Sequence, residues 1–441
     1  MTRARLPVIC AGCGAVVDAA AALPFRCPNV ARYPAVDHVL TPQAETLVFG
    51  GGPHRNPFLR YREWTLAGRL ATACGLSDDA YAGLVGELDR GLERVDGRGL
   101  VVTPFAEQPA LAQALQVPGL RLWVKDETGN VAGSHKVRHL AAVMLYLRVL
   151  EAARLPLAEG LRGRTLAIAS CGNAALAAAV VARAAEWKLA VFIPPDAEPS
   201  VVARLRELGA AIEVCGRTPG MAGDPCVQAF RAVVAAGALP FAVLGPENGV
   251  AVEGARTLAY EMAEVLADSG EALDDVFVQV GGGALASGMG HGFAEMAELG
   301  VLDPAPALFA VQAEGCCPLH QAHERLSAWM RARGAAPSAA LAYAASHRAA
   351  FMRPVEQTPH SVAHGILDDE TYDWLAVLEA MLRTHGGSVV VDEAALERAH
   401  AAGGAHTAIR ASHTGTAGLA GVLAARPKGR RVAVVFSGVE R

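Results

Sequence analysis

One lysine stands where it could form an imine with a carbonyl compound. The segment Gly133-Ser-His-Lys-Val-Arg138 places Lys136 at the start of a predicted helix. A helix N-terminus disfavours an ammonium group, as does burial, so both favour the neutral amine that imine formation requires. A solvated lysine in the first helical turn is the alternative. The only lysines lie at positions 125, 136, 188 and 428. Elsewhere the chain uses arginine, which cannot lose its proton, so Lys136 is a candidate catalytic residue.

Two other loops follow apolar strands and open helices, at the strand ends where open α/β sheets bind ligands. The glycine loop, Gly281-Gly282-Gly283-Ala284-Leu285-Ala-Ser287-Gly288, lets backbone N–H groups approach an anion beside a helix N-terminus. It is neither a P-loop nor a Gly-x-Gly-x-x-Gly fingerprint. It predicts a phosphate site, with a tight strand–helix turn as the alternative. The loop Ser170-Cys171-Gly172-Asn173-Ala174 suits a carboxylate, with an ordinary N-cap as the alternative.

A group of residues near the N-terminus has the spacing of metal ligands. Cys10 and Cys13 form a Cys-x-x-Cys pair, Cys27 follows, and His38 is the candidate fourth ligand. Two cysteines separated by two residues can hold one metal ion through a tight turn, and a second pair normally completes the tetrahedron. The pattern predicts a zinc-ribbon-like extension over residues 1–45. The alternative is a turn with buried thiols.

Short apolar strands alternate with helices from residue 165 onwards, interrupted by a polar span at 325–370 that is predicted to be irregular. The alternation predicts an α/β fold with parallel sheets and helices on both faces. At 441 residues the chain exceeds the usual size of one hydrophobic core, so two domains are expected. The strands are predicted at 120–124, 165–169, 189–193, 211–214, 275–280, 307–312, 388–391 and 431–436.

The composition argues against several classes of protein. Apolar residues make up 52% and charged residues 19% of the chain, which argues against disorder. A formal net charge of −5 gives no electrostatic reason to expect nucleic acid or a membrane as a partner. No apolar run reaches the roughly 18 residues of a membrane span. The nine scattered cysteines fit a reducing compartment, so a cytoplasmic location is expected.

Taken together, the motifs resemble the fold type II pyridoxal 5′-phosphate (PLP) enzymes. This is the tryptophan synthase β superfamily, which includes threonine synthases and serine/threonine dehydratases. The N-terminal cysteines are also similar to the zinc-ribbon-like extension of some threonine synthases. The matching motifs, in order, are Thr103-Pro104, Lys125-x-Glu127, Gly133-Ser-His-Lys136-x-Arg138, Ser170-Cys-Gly-Asn173, Val252-Glu-Gly-Ala-Arg-Thr257, Gly281–Gly288 and Ser412-His-Thr414-Gly415.

The resemblance implies a role for each matching position. Lys136 would hold PLP as a Schiff base and later move the α-proton, and Asn173 would bond the cofactor 3′-oxygen. Thr414 would meet the pyridine nitrogen; a neutral hydroxyl there suits elimination and replacement better than transamination. The substrate carboxylate would lie on Ser170, Cys171, Gly172, Asn173 and Ala174, and the cofactor phosphate on Gly281, Gly282, Gly283, Ala284, Leu285 and Ser287.

The sequence leaves the substrate open. Ser134-His135 precedes the lysine where many threonine synthases and dehydratases have Ser-Phe. We expect β/γ-elimination or replacement on an amino acid, as in threonine synthase. The alternatives are a serine/threonine or diaminopropionate ammonia-lyase and a non-catalytic binding protein that keeps the fold. Arg138, Arg348 and Arg353 could bind a substrate phosphate or could be surface arginines.

The resemblance also implies a domain organisation. After the extension, a large PLP-binding domain would combine residues 46–137 with 256–441, and a small α/β domain would span 138–255. Relatives of this family are usually dimers, which implies a homodimer whose small-molecule partner is an amino acid.

Overall fold

The computed structural model describes residues 5–43, 49–217, 223–355 and 358–440. The strands are β1 (Pro7–Cys10), β2 (Val16–Asp18), β3 (Leu40–Pro42), β4 (Phe105–Glu107), β5 (Arg121–Asp126), β6 (Leu166–Ala169), β7 (Leu189–Ile193), β8 (Ala211–Val214), β9 (Leu239–Pro240), β10 (Asp275–Gln279), β11 (Ala307–Ala313), β12 (Gly387–Val391) and β13 (Arg431–Phe436).

The helices alternate with these strands along much of the chain. They are α1 (Pro57–Arg60), α2 (Leu66–Ala73), α3 (Asp78–Asp96), α4 (Pro109–Ala114), α5 (Lys136–Ala152), α6 (Asn173–Ala184), α7 (Pro199–Glu207), α8 (Pro225–Ala235), α9 (Gly249–Glu253), α10 (Arg256–Ser269), α11 (Ala284–Glu298), α12 (Pro318–Arg333), α13 (Pro337–Ser346), α14 (Arg348–Phe351), α15 (Trp374–Arg383), α16 (Glu393–His406) and α17 (His413–Ala425).

The chain forms two compact units. Unit 1 consists of Met1–Asn29, His38–Val102 and Asn130–Gly254, and unit 2 consists of Val30–Asp37, Thr103–Gly129 and Ala255–Arg441. This division differs from the predicted one because residues 46–102 group with 138–254 rather than with 256–441. The reason is helix packing, since α3 packs on α6 and α2 packs on α5.

Unit 1 contains two sheets. Its four-stranded sheet is parallel, in the order β8-β7-β6-β9, and a three-stranded antiparallel sheet has the order β2-β1-β3. Helix α5 is buried almost all round, because 13 of its 17 residues are buried. A helix of this kind belongs to the interior of its unit, although its first residue, Lys136, is only half-buried.

Unit 2 contains a six-stranded sheet in the order β12-β11-β10-β13-β5-β4. All neighbouring pairs are parallel except β4 with β5. Every residue of β10 is buried, and α11 and α17 both contact it. Parallel strands covered on both faces are largely apolar along their length, which explains why these strands could be predicted from the sequence. The predicted α/β fold with parallel sheets is confirmed.

The predicted irregular span at 325–370 is wrong for its first part. Helices α12, α13 and α14 occupy much of 318–351. Prolines at the first turns of α12 and α13 fix helical backbone angles. Leu319, Ala322 and Leu326 are buried at spacings of three and four residues, which is a helical pattern that the polar composition concealed.

None of the helices in the part of the chain that the structure describes combines the length and the apolar character needed to cross a membrane.

Candidate active site

Lys136 is the first residue of α5 and lies at the end of a tight turn. Its side chain is half-buried, whereas both its neighbours along the chain are buried. In the 3₁₀ turn Val131–Gly133, Ala132 has φ 54° and Gly133 has φ 67°. The amide of Ala132 donates to Asp96 Oδ2 at 2.9 Å, which holds this left-handed backbone in place. Because Asp96 is the last residue of α3, this hydrogen bond fixes the turn before Lys136 to the end of α3.

Two buried histidines flank the lysine. His135 precedes Lys136, and His139, which has no exposed surface, follows it by one helical turn. Their ring centroids lie 5.6 Å apart, edge to face. Burial is the main cause that lowers the pKa of His139 to about 3 and the pKa of His135 well below its usual value, and the charge of Lys136 is the second cause. Both imidazoles are therefore neutral at pH 7. Neither histidine is among the residues predicted from the sequence, where the available signal is their spacing of four residues around a lysine.

Arg138 lies inside unit 1. Its side chain has no exposed surface, and Nη2 donates to the backbone oxygen of Val101 at 3.5 Å. A Cβ on Gly254 would collide with the backbone oxygen of Arg138, so α5 and the end of α9 are in direct contact. Arg138, which was predicted to bind the substrate, is thus fully buried.

The predicted carboxylate loop, Ser170 to Ala174, connects β6 to α6. All five of its residues are half-buried, and Asn173 is the first residue of α6. The amide of Gly172 donates to Ser170 Oγ at 3.4 Å, and a Cβ on Gly172 would meet no atom within 4 Å. The turn before Lys136 contacts α6, so unit 1 brings this helix beside the lysine. The loop has the open space and helix N-terminus that an anionic ligand requires.

In unit 2 the glycine loop connects β10 to α11. Gly283 has φ 96°, and a Cβ there would lie 2.9 Å from Thr371 Cγ2 and 3.2 Å from Asp373 Cβ. A Cβ on Gly281 would collide with the carboxylate of Asp368. The amide of Asp373 donates to the oxygen of Gly282 at 2.9 Å. Glycine is required here by both backbone angle and space, because residues 366–373 pack against the loop.

Thr414 lies in the first turn of α17 and is connected to the glycine loop. Its Oγ1 accepts a hydrogen bond of 2.9 Å from the amide of Gly365. Gln279, which ends β10 just before the glycine loop, donates from Nε2 to Gly415 O at 3.4 Å and to Val435 O at 3.1 Å. Unit 2 therefore brings Thr414 and the glycine loop together at one end of its sheet. Gln279, which makes this connection, is not among the residues predicted from the sequence.

Of the other two arginines considered for a substrate phosphate, Arg348 is paired with carboxylates, whereas Arg353 is exposed. Arg348 forms ion pairs with Asp37 at 3.0 Å and Glu370 at 3.1 Å, and Trp374 also donates to Asp37. The side chain of Arg353 donates to the backbone oxygen of Ala349 at 3.1 Å. Arg348 is thus a structural residue that ties residues 37, 370 and 374 together.

The four predicted metal ligands form one cluster in unit 1. The ligand atoms of Cys10, Cys13, Cys27 and His38 all lie within 4.8 Å of one another. Cys10 Sγ is 3.4 Å from His38 Nδ1, and Cys13 Sγ is 3.5 Å from Cys27 Sγ. Tetrahedral zinc with bonds of about 2.0–2.3 Å places its ligand atoms about 3.3–3.8 Å apart. Asn29 donates to both Cys13 and Cys27, as groups around a thiolate–metal centre do. The cluster can hold one zinc ion.

The residues present also fit PLP. Ser134 Oγ in unit 1 and Ser287 Oγ in unit 2 are buried, and neither has a hydrogen-bond partner in the described parts of the chain. A buried hydroxyl left in that state costs about 1–3 kcal/mol, so a ligand with acceptor oxygens would stabilise each position. In unit 1, Lys136 is an amine of the kind that an aldehyde group reacts with. In unit 2, the glycine loop at the start of α11 has backbone N–H groups of the kind that bind a phosphate.

Comparison with known proteins agrees with this fit. Residues 98–438 match the model of the family described as pyridoxal-phosphate dependent enzyme. Threonine synthase of Synechocystis is 28% identical over 221 residues, which is 50% of this chain and 52% of that protein. Serine dehydratase-like protein of Mus musculus is 29% identical over 196 residues, covering 44% and 53%. The chain spans about half the length of the curated relatives it matches.

The solved structures agree in fold. Diaminopropionate ammonia lyase from Escherichia coli superposes with a TM-score of 0.59 at 15% identity, over 82% of this chain and 88% of that one. The family match covers the lysine, both loops and Thr414, whereas the cysteine cluster lies outside it. By sequence and by fold, the chain belongs to the family of pyridoxal-phosphate dependent enzymes.

Proposed function

We propose that this protein catalyses β/γ-elimination or replacement on an amino acid, as threonine synthase does. The observation that carries the proposal is the half-buried amine of Lys136 at the start of α5, between two neutral, buried imidazoles. The relatives named threonine synthase support the reaction type. Lys136, Asn173, Thr414 and the residues of the two loops are its proposed site.

PLP, when bound, supplies an aldehyde and an electron sink for the electrons of the substrate α-carbon. Lys136 Nζ would hold that aldehyde, then take and return the α-proton. The first-turn N–H groups of α6 and the hydroxyl of Ser170 would bind the substrate carboxylate. His135 and His139 are buried on either side of Lys136, whose own side chain stays partly accessible to a ligand.

The hydrogen bonding of Thr414 favours elimination and replacement over transamination. Its Oγ1 already accepts the N–H of Gly365, so its own O–H is available to donate. A hydroxyl that donates to a pyridine nitrogen leaves that nitrogen unprotonated. An unprotonated ring is the weaker electron sink, which suits loss of a β- or γ-substituent.

An absorbance spectrum tests the enzyme class. With PLP, the protein should show a band at about 410–420 nm, the usual range for a lysine Schiff base, and borohydride should make the cofactor covalent. Lys136→Ala should lose both properties, whereas the control Lys428→Ala, at an exposed lysine, should keep them. A colourless wild-type protein that does not take up PLP would favour the non-catalytic binding protein.

Arg138 and Arg348 favour a second candidate, a serine/threonine or diaminopropionate ammonia-lyase. Arg138 has no exposed surface and Arg348 is paired with two carboxylates, so neither is available for a substrate phosphate. Incubation with O-phosphohomoserine, serine, threonine and diaminopropionate distinguishes the two. Release of inorganic phosphate supports the threonine-synthase-like reaction, and release of ammonia from the other substrates without phosphate release supports the ammonia-lyase.

We also propose that Cys10, Cys13, Cys27 and His38 hold a structural zinc ion. Four protein ligands would close the coordination sphere, so the ion would stabilise the fold and take no part in the reaction. Metal analysis should find about one zinc ion per chain. The double variant Cys10→Ser/Cys13→Ser should lose it and the control Cys317→Ser should keep it. A zinc content well below one per chain in the wild type would contradict the proposal.

We propose, finally, a cytoplasmic homodimer. None of the nine cysteines forms a disulfide in the described parts of the chain, which fits a reducing compartment. Sedimentation equilibrium of the PLP-loaded protein would return twice the 45.7 kDa chain mass for a dimer, and a value near the chain mass would contradict it.

A further inference from the structure

Two adjoining cavities in unit 1 contain none of the residues proposed for the reaction. Their volumes are about 560 and 570 Å³, and they share Arg94, Ala184 and Glu186, so together they form one groove where α3 and α6 end. We call it the basic groove, because its charged lining consists of six cations and two carboxylates: Arg90, Arg94, Arg148, Arg162, Arg183, Lys188, Glu87 and Glu186.

The positive charge of the basic groove is not balanced by the protein. Within the described residues, Arg90, Arg94, Arg183 and Lys188 form no ion pair or hydrogen bond through their side chains. Three carboxylates lie against the six cations, namely Glu87, Glu186 and Glu151, the last paired with Arg162. A helix C-terminus attracts cations but carries only about half a negative charge, so part of the positive charge stays uncompensated. This is unexpected in a chain whose formal net charge is −5.

Arg148 is the least exposed cation of the groove. Its side chain is 13% exposed, and its Nη1 donates to Leu84 O at 3.1 Å and lies 3.5 Å from Glu87 Oε2. Its Nε is buried and has no hydrogen-bond partner in the structure as described. Burial is the main cause that lowers the pKa of Arg148; the charge of Glu87 raises it and the charge of Arg162 lowers it. An anion in the groove would offset the effects of burial and of Arg162.

Arg162 is a rigid part of the groove wall. Its guanidinium donates to both carboxylate oxygens of Glu151, at 2.6 and 2.8 Å, and to Ala185 O at 2.9 Å. It also stacks on Trp187, with 4.5 Å to the ring centroid. The guanidinium is therefore held in place but its charge is paired with Glu151, so Arg162 shapes the groove wall and the charge for a ligand comes from the other arginines.

We propose that the basic groove binds a small molecule that carries two or more phosphate groups. Guanidinium groups match phosphate oxygens in two-point hydrogen bonds, and several arginines around one cavity suit a ligand with more than one such group. Each cavity lies in the range of about 300–1,000 Å³ that small-molecule sites occupy. This ligand would be neither PLP nor the amino acid substrate, so the proposal does not depend on the reaction proposed above.

Titration calorimetry with inorganic pyrophosphate tests the proposal on the PLP-loaded protein at low salt. We expect saturable binding that weakens as salt is added, because the interaction is between exposed charges. The double variant Arg90→Gln/Arg94→Gln should weaken binding about tenfold or more through the loss of two charge-assisted contacts. Arg331→Gln removes one charge at an exposed arginine of α12, outside the groove, and as the control should bind as the wild type does.

The absorbance band of the Lys136 Schiff base should be unchanged in all three proteins, which separates this test from the test of the reaction. Absence of saturable pyrophosphate binding by the wild type, or equal binding by the double variant, would overturn the proposal. Equal loss of binding in Arg331→Gln would do so as well, since it would show a general charge effect.

Discussion

At the scale of single residues, one backbone carbonyl determines which ring nitrogen of His139 carries the proton. His139 Nδ1 lies 2.7 Å from Ala251 O. A carbonyl oxygen can only accept, so Nδ1 carries the proton of the neutral ring and Nε2 carries the lone pair. The charge state comes from burial and the tautomer comes from this contact, and both act next to Lys136.

Two variants of His139 test this assignment. Asn places a donor near the position of Nδ1 and can keep the bond to Ala251, whereas Gln places its donor near Nε2 and leaves that buried carbonyl unsatisfied. We expect the unsatisfied carbonyl to lower the free energy of unfolding of His139→Gln by about 1–3 kcal/mol relative to His139→Asn. The smaller side chain of Asn has a packing cost of its own, which reduces this difference. Urea unfolding measures both. A His139→Asn protein less stable than His139→Gln would show that side-chain volume outweighs the hydrogen bond.

At the scale of elements, α9 connects the cysteine cluster to the lysine helix. The amide of Gly249, the first residue of α9, donates to Phe25 O at 3.0 Å, two residues from Cys27. A Cβ on Gly249 would collide with the oxygen of Leu40, two residues from His38. Ala251 of α9 then holds His139 of α5. The proposed zinc site therefore fixes the segment that positions the first turns of α5.

Gly249→Ala should loosen this connection. The added methyl group would collide with the backbone of Leu40. We therefore expect the free energy of unfolding to fall by about 1–3 kcal/mol and zinc to be released faster to a chelator. Thermal unfolding and zinc release measure the two effects. Gly404→Ala is the control, because Gly404 lies in α16 with no atom within 4 Å of an added Cβ. It should gain about 0.5–1 kcal/mol. If both variants behave alike, the contact with Leu40 does not matter.

At the scale of the whole molecule, the buried imidazoles make stability depend on pH. His139 has a folded-state pKa of about 3 against about 6.5 in the unfolded chain, and the pKa of His135 is lowered in the same direction. Below about pH 6.5 the unfolded chain binds protons that the folded chain does not, so stability falls as the pH falls towards 3. The loss is at most about 1.4 kcal/mol per pH unit for each group.

Thermal midpoints between pH 8 and pH 4.5 would measure this dependence. The wild type should lose stability below pH 6.5, and His139→Asn should lose it less steeply. The control His385→Gln, at an exposed histidine, should follow the wild type. A midpoint that does not change between pH 8 and pH 5 would show that neither imidazole is held neutral by the fold.

Much of the fold could be predicted because its signals are local. Strands β7, β8 and β13 have the predicted bounds residue for residue. For β7 and β13 the reason is that parallel strands buried on both faces are continuous apolar runs, whereas β8 is a largely exposed edge strand. The three loops could also be predicted from the sequence, because each has a local signal before a helix. The signals are the run of glycines from 281 to 283, the small polar residues from 170 to 173, and the lysine at 136. The helices of 318–351 were missed, since their buried stripes are narrow among polar residues.

The sequence by itself determined the family, the α/β pattern and the cysteine–histidine group, because each depends on residue types at short spacing. Only the tertiary structure determined which charged side chains are buried, paired or exposed. It buries Arg138, pairs Arg348 with Asp37 across 311 residues, and joins His139 to Ala251 across 112 residues. It also gathers six cations at the ends of α3 and α6. The physical reason is that the charge state and hydrogen-bond partner of a side chain depend on its burial and on neighbours distant in the chain, which residue spacing does not specify.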